Sequence, residues 1–90
     1  MNQHRIAKLW ERATAAEQRE NWSEAKRLYR KVVVAAPTHA ATFQRLGLIA
    51  LREGRPESAV DDFRHSLSIE PADPVCLNNL GNVLRELRRY

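Results

Sequence analysis

The side chains with the chemistry for metal binding or acid–base work are three histidines (His4, His39 and His65), one cysteine (Cys76) and an acidic stretch (Glu57, Asp61 and Asp62). A hydrolytic site needs a nucleophile beside a base or two carboxylates facing one bond, and a phosphate loop needs glycines ahead of a lysine. None of these spacings occurs. The histidines fall in the N-terminal segment, in a proline-marked turn and in a later helical stretch, so they are expected at the surface without a metal or catalytic role. The acids lie on the outer face of a helical stretch, near its start, where negative charge suits the dipole. A lone cysteine allows neither an intramolecular disulfide nor a cysteine-based metal site within one chain. Its expected state is a buried, inert thiol. A reducing, cytoplasmic location is consistent with it, and neither catalysis nor a cofactor is expected.

Fifteen basic residues, twelve of them arginine, against eleven acidic ones leave a net charge of +4. That balance invites an acidic ligand or a nucleic acid. The distribution argues otherwise, because Glu11, Glu17, Glu20, Glu24, Glu53, Glu57, Asp61 and Asp62 are interspersed among the cations. Such mixing belongs to solvated helix faces with charge pairs three and four residues apart. Only Arg85, Arg88 and Arg89 cluster, at a helix end where cations complement the dipole. No apolar run approaches the roughly 20 residues of a membrane span, and the first residues lack the apolar core of a secretory signal.

Self-similarity reveals the elements that must position any functional side chain. A shift of the sequence along itself that brings Leu9 onto Phe43 also aligns Ala13 with Gly47, Ala16 with Ala50, Ala25 with Ala59, Tyr29 with Phe63 and Pro37 with Pro71. The same shift carries Phe43 to Leu77, Leu46 to Leu80, Gly47 to Gly81 and Ala50 to Leu84, so a third unit opens near Pro74. Within a unit, small or apolar residues recur at three- and four-residue steps: Phe43, Leu46, Gly47, Ala50 and Leu51, then Ala59, Val60, Phe63 and Leu67. That is a helical period, and each unit is therefore a helix pair.

The pattern predicts an all-α chain of five helices, at about 4–19, 22–36, 38–53, 56–69 and 73–89. Repeats span about 6–39 and 40–73, with a partial third at 74–90, in a single domain. Gly54 suits the left-handed residue that ends a helix, and Pro56 the first turn of the next. Asn21 is the expected cap of the second helix, with Glu24 reaching back to its amide as in a capping box. Pro37 and Pro71 stop the preceding helices, while Thr38 and Asp73 are expected caps and Pro74 occupies a first helical position. The small pairs Ala13 with Ala25 and Gly47 with Ala59 are expected to let paired helices approach closely. Tyr29 and Phe63 are expected to fill the gap to the next unit.

Period, order and residue types together resemble the tetratricopeptide repeat family, over nearly the whole chain. The second unit matches best, with Phe43, Leu46-Gly47, Ala59, Phe63 and Pro71, and departs at Ala50, where the family favours a large residue. In the first unit Leu9, Ala13, Ala16, Ala25, Tyr29 and Pro37 fit, and Arg12 stands where Leu is usual, as suits a terminal repeat with one face toward solvent. The resemblance implies an α-solenoid of antiparallel helix pairs wound as a right-handed superhelix. It also implies a scaffold for protein–protein interaction that takes a peptide in a concave groove lined by the first helix of each unit.

At the groove positions so implied stand Trp10, Thr14 and Glu17, then Gln44, Arg45, Leu48 and Arg52, then Asn78, Asn79, Asn82 and Arg85. Asparagine donates and accepts at once, so a row of them can pair with the backbone of an extended peptide, and Arg45, Arg52 and Arg85 can hold carboxylates. Trp10 follows Leu9 and should point about 100° away from it, either as a peptide anchor or as a shield for the end of the array. Trp22 opens the second helix where the family has an aromatic, a structural role. One subgroup of the family grips the carboxylate end of chaperone peptides with lysine, asparagine and arginine. The corresponding places here hold Trp10, Thr14, Arg45, Val75 and Asn79, so that activity is not expected.

Leu77, Leu80, Leu84 and Leu87 form an apolar stripe on the last helix, part of it expected to face a partner helix absent from the sequence. The chain then reads as part of a larger protein, as an array capped by this helix, or as a module that pairs with a second copy through Leu80 and Leu84. Binding of RNA through the arginines is the third reading, disfavoured by the interspersed acids and by the scarcity of groove aromatics.

Overall fold

A computed structural model describes residues 3–88. Of the expectations above, the positions of Arg89 and of the last residue of the partial repeat, Tyr90, lie outside the described residues. Five helices follow one another: α1 (Gln3–Gln18), α2 (Trp22–Ala35), α3 (Ala40–Arg52), α4 (Pro56–Ile69) and α5 (Pro74–Arg88). No strand occurs among the described residues. The chain is all-α, built of helix hairpins whose short connections make consecutive packed helices antiparallel.

The largest difference from the sequence-based boundaries is the start of α3, at Ala40 rather than Thr38. Residues 36–39 form a turn closed by the His39 amide donating to the Ala36 carbonyl at 3.0 Å, which leaves Thr38 inside the turn, one residue short of a capping place. The same turn recurs one repeat later, where the Asp73 amide donates to the Glu70 carbonyl at 3.4 Å. There Asp73 does cap, its Oδ1 accepting from the amides of Val75 (3.0 Å) and Cys76 (3.2 Å).

Helix ends repeat with equal fidelity. After α3, Gly54 takes φ 75°, with the Gly54 amide on the Leu51 carbonyl and the Arg55 amide on the Ala50 carbonyl. After α1, Glu20 takes φ 58°, with the Glu20 amide on the Glu17 carbonyl and the Asn21 amide on the Ala16 carbonyl. Both are the paired bonds of a left-handed helix stop. Asn21 caps α2 as expected, accepting from the Glu24 amide at 3.3 Å. The reciprocal half of the capping box is absent, because the Glu24 carboxylate instead accepts two bonds from Arg27, at 2.7 and 2.9 Å. A bidentate charge-assisted pair is the stronger use of that carboxylate.

The chain divides into two compact units between His39 and Ala40. In the first, α1 packs on α2; Leu9, Ala13, Ala16, Ala25, Leu28, Tyr29 and Val32 are buried. In the second, α4 packs against both α3 and α5. Its core joins Ala50, Ala59, Val60, Phe63, Cys76 and Val83. At Gly47 the nearest neighbour across the helix pair is an aromatic ring. A Cβ at Gly47 would lie 2.6 Å from the Phe63 ring, so Phe63 is seated on the glycine of its own unit.

Candidate functional site

In the first unit Trp10, Thr14 and Glu17 recur at four- and three-residue steps on α1, and all three are half-buried. Trp10 is held by rings of its own unit: its centroid is 5.3 Å from that of Tyr29 and 5.0 Å from that of His39, edge-on in both cases. His39 is thus half-buried against Trp10, a correction to its expected place at the surface. The Tyr29 hydroxyl donates to Glu17 Oε1 at 2.7 Å, and Thr14 Oγ1 donates to the Glu11 carbonyl at 3.0 Å. A fully buried phenol needs such a partner, so Glu17 serves the packing of its unit as well as its face.

In the second unit α3 buries Ala40, Thr42, Phe43, Leu46, Gly47, Ile49 and Ala50. The sector left over carries Gln44, Arg45 and Leu48, half-buried, and exposed Arg52. Leu48 also packs against the core cluster. On α5, Asn78, Asn82 and Arg85 are exposed along one side at four- and three-residue steps, with Asn79 half-buried beside them. None of the three asparagine side chains has a hydrogen-bond partner among the described residues.

The leucine stripe of α5 is less open than the sequence suggests. Leu80, Leu84 and Leu87 pack against the second unit's core, and only Leu77 is exposed, at 49%. The buried positions on that helix are Cys76 and Val83. Val83 stands one repeat after Ile49, which is itself fully buried, so the repeat offset would have identified it. Ser66 was likewise missed: buried at the place of Val32, its hydroxyl donates to the Ala40 carbonyl at 2.9 Å.

Three groups among the described residues have altered acidities, Arg27 being held above its ordinary value by its hydrogen bond to Glu24. The Arg27 hydrogen bond holds the Glu24 carboxyl below its ordinary value, helped by the charges of Arg27, Arg12 and Lys31. Burial pushes the Cys76 thiol up, opposed by a hydrogen bond with Ser66 and aided by the charge of Asp73; its Sγ lies 3.5 Å from the Phe63 carbonyl oxygen as a weak donor. A buried thiol whose proton is favoured over the thiolate is a poor nucleophile, the state expected for it. His65 is exposed but lies flat on Phe43, with ring centroids 3.8 Å apart and 10° between planes.

Residues 40–73 match the model of the tetratricopeptide repeat. Among curated proteins, tetratricopeptide repeat protein 7B of Homo sapiens is 34% identical over 77 residues, which cover 86% of this chain. The chain belongs to the tetratricopeptide repeat family. The crystal structure of MamA protein shares its fold, with a TM-score of 0.84 over 91% of the chain at 18% identity. The chain spans 9% of the length of the first relative and 45% of the second. Tetratricopeptide repeats generally mediate protein–protein interaction and are generally non-enzymatic scaffolds. No helix among the described residues is long and apolar enough to cross a membrane.

Proposed function

We propose that this tetratricopeptide segment binds an extended polypeptide along the polar faces of its first helices, using Trp10 and Thr14 on α1, Gln44, Arg45 and Arg52 on α3, and Asn78, Asn79, Asn82 and Arg85 on α5. The observation that carries the reading is the asparagine group. Three closely spaced amides on α5, none hydrogen-bonded to another side chain or backbone group among the described residues, suit the alternating donors and acceptors of a peptide backbone. The arginines add selectivity for carboxylates.

The test takes peptides selected from a random displayed library on the 90-residue chain. Arg45→Glu and Asn79→Ala are each expected to weaken their binding by about tenfold or more while far-UV circular dichroism stays unchanged. Binding that survives both substitutions, or loss of helicity in both, counts against the proposal.

Pairing of two copies through α5 is a second reading, favoured by one observation. Gly81 occupies the register of Gly47, yet a Cβ built on it meets nothing within 4 Å, whereas Gly47 holds the Phe63 ring. A partner's side chain would fill that notch beside Leu84 and Leu87. Sedimentation as a monomer at high micromolar concentration excludes it.

A further inference from the structure

The first unit has an opening on a different side of α1 from Trp10 and Thr14. Between α1 and α2 lies a depression of about 360 Å³, floored by Leu9, Val34 and Ala35 and walled by Arg5, Arg30 and Lys31. Val34 is 83% exposed there. Arg27 also borders it, but its guanidinium is committed to Glu24. Arg5 and Arg30 have no carboxylate partner among the described residues.

The second unit indicates what such a place accepts. Its counterparts of Leu9 and Lys31 in the repeat register are Phe43 and His65, and those two rings stack face to face at 3.8 Å. In the first unit the ring of Phe43 is replaced by a smaller leucine and the ring of His65 by a lysine. The apolar floor stays open where the second unit has flat aromatic surface. Apolar surface left in water beside unpaired cations gains only from a ligand that brings both a hydrophobic group and negative charge. Guanidinium groups, moreover, favour the face of an aromatic ring.

We propose that this depression docks an acidic peptide segment carrying one aromatic side chain, the ring lying over Leu9 and Val34 and the flanking carboxylates pairing with Arg5, Arg30 and Lys31. The site is separate from the polar faces of α1, α3 and α5.

The probe is a capped peptide with one phenylalanine between pairs of aspartates, titrated calorimetrically into the chain. Val34→Asp and Arg30→Glu both change exposed side chains, and each is expected to weaken binding by about tenfold or more, as is replacement of the peptide's phenylalanine by alanine. Arg45→Glu is expected to leave this binding unchanged, which separates the result from a failure of the groove reading. The proposal is overturned if Arg30→Glu and Val34→Asp bind the peptide as tightly as the parent chain, or if the alanine peptide binds equally well. It is also overturned if the peptide does not bind, including the case in which the chain instead sediments with phosphatidylserine vesicles through the same arginines.

Discussion

Glu20 holds a backbone conformation that its side chain disfavours. Its φ of 58° is the left-handed region, and its counterpart in the next repeat is Gly54 at 75°. A Cβ in that region crowds the following carbonyl, at a cost of roughly 1–2 kcal/mol that glycine avoids. Glu20→Gly is therefore expected to stabilise the chain by about 0.5–1 kcal/mol, after the entropy lost by glycine on folding is subtracted. The midpoint of urea unfolding checks it: the midpoint should rise with an unchanged slope. An unchanged or lowered midpoint would show that the turn is not under strain. This feature was legible in the sequence through the repeat offset from Gly54. The fate of Glu24 was less so, because the choice between the Asn21 amide and the Arg27 guanidinium depends on a rotamer that spacing does not specify. The packing of His39 on Trp10 was hidden for a related reason: it joins residues far apart in the chain through rings that periodicity classes only as polar and apolar.

Helices are the scale at which the sequence was most readable. Apolar period, Gly54, Pro56 and Asn21 place five helices within two residues of their observed ends. What the pattern could not provide was the rotation of α5, since counting leucines drew the stripe through exposed Leu77 and past buried Val83. The repeat's two interior glycines separate packing from propensity. At Gly47 an added methyl meets the Phe63 ring at 2.6–3.0 Å, whereas at Gly81 it meets open space. Gly47→Ala is expected to destabilise by about 1–3 kcal/mol through overpacking, less a gain of up to about 1 kcal/mol in helix propensity. Gly81→Ala is expected to gain about 0.5–1 kcal/mol, having only the propensity term. Equilibrium unfolding of the pair should move the midpoint in opposite directions. Movement in the same direction would mean that Phe63 yields freely, and that the small residue of the repeat is not a steric requirement.

At the scale of the molecule, two units with their own buried interiors present polar helix faces, and recognition is the chemistry we propose for those faces. Sequence alone reached this through the period of the repeat, because stacking hairpins bury apolar stripes and leave the remaining stripe for solvent or a ligand. It did not reach the depression beside Val34, because lining residues drawn from two helices meet there only in the folded unit. The chain spans 9% of the curated relative and 45% of the solved structure that it resembles, so the identity of the ligand rests on the groups each face offers. The most direct measurement is a titration of a library-selected peptide into the isotopically labelled chain, followed by amide chemical shifts. Perturbation centred on Gln44, Arg45, Asn78, Asn79 and Asn82 is the predicted result. Shifts confined to the outer face of α4, around Glu57 and Asp61, would contradict the assignment of the polar first-helix faces as the binding surface.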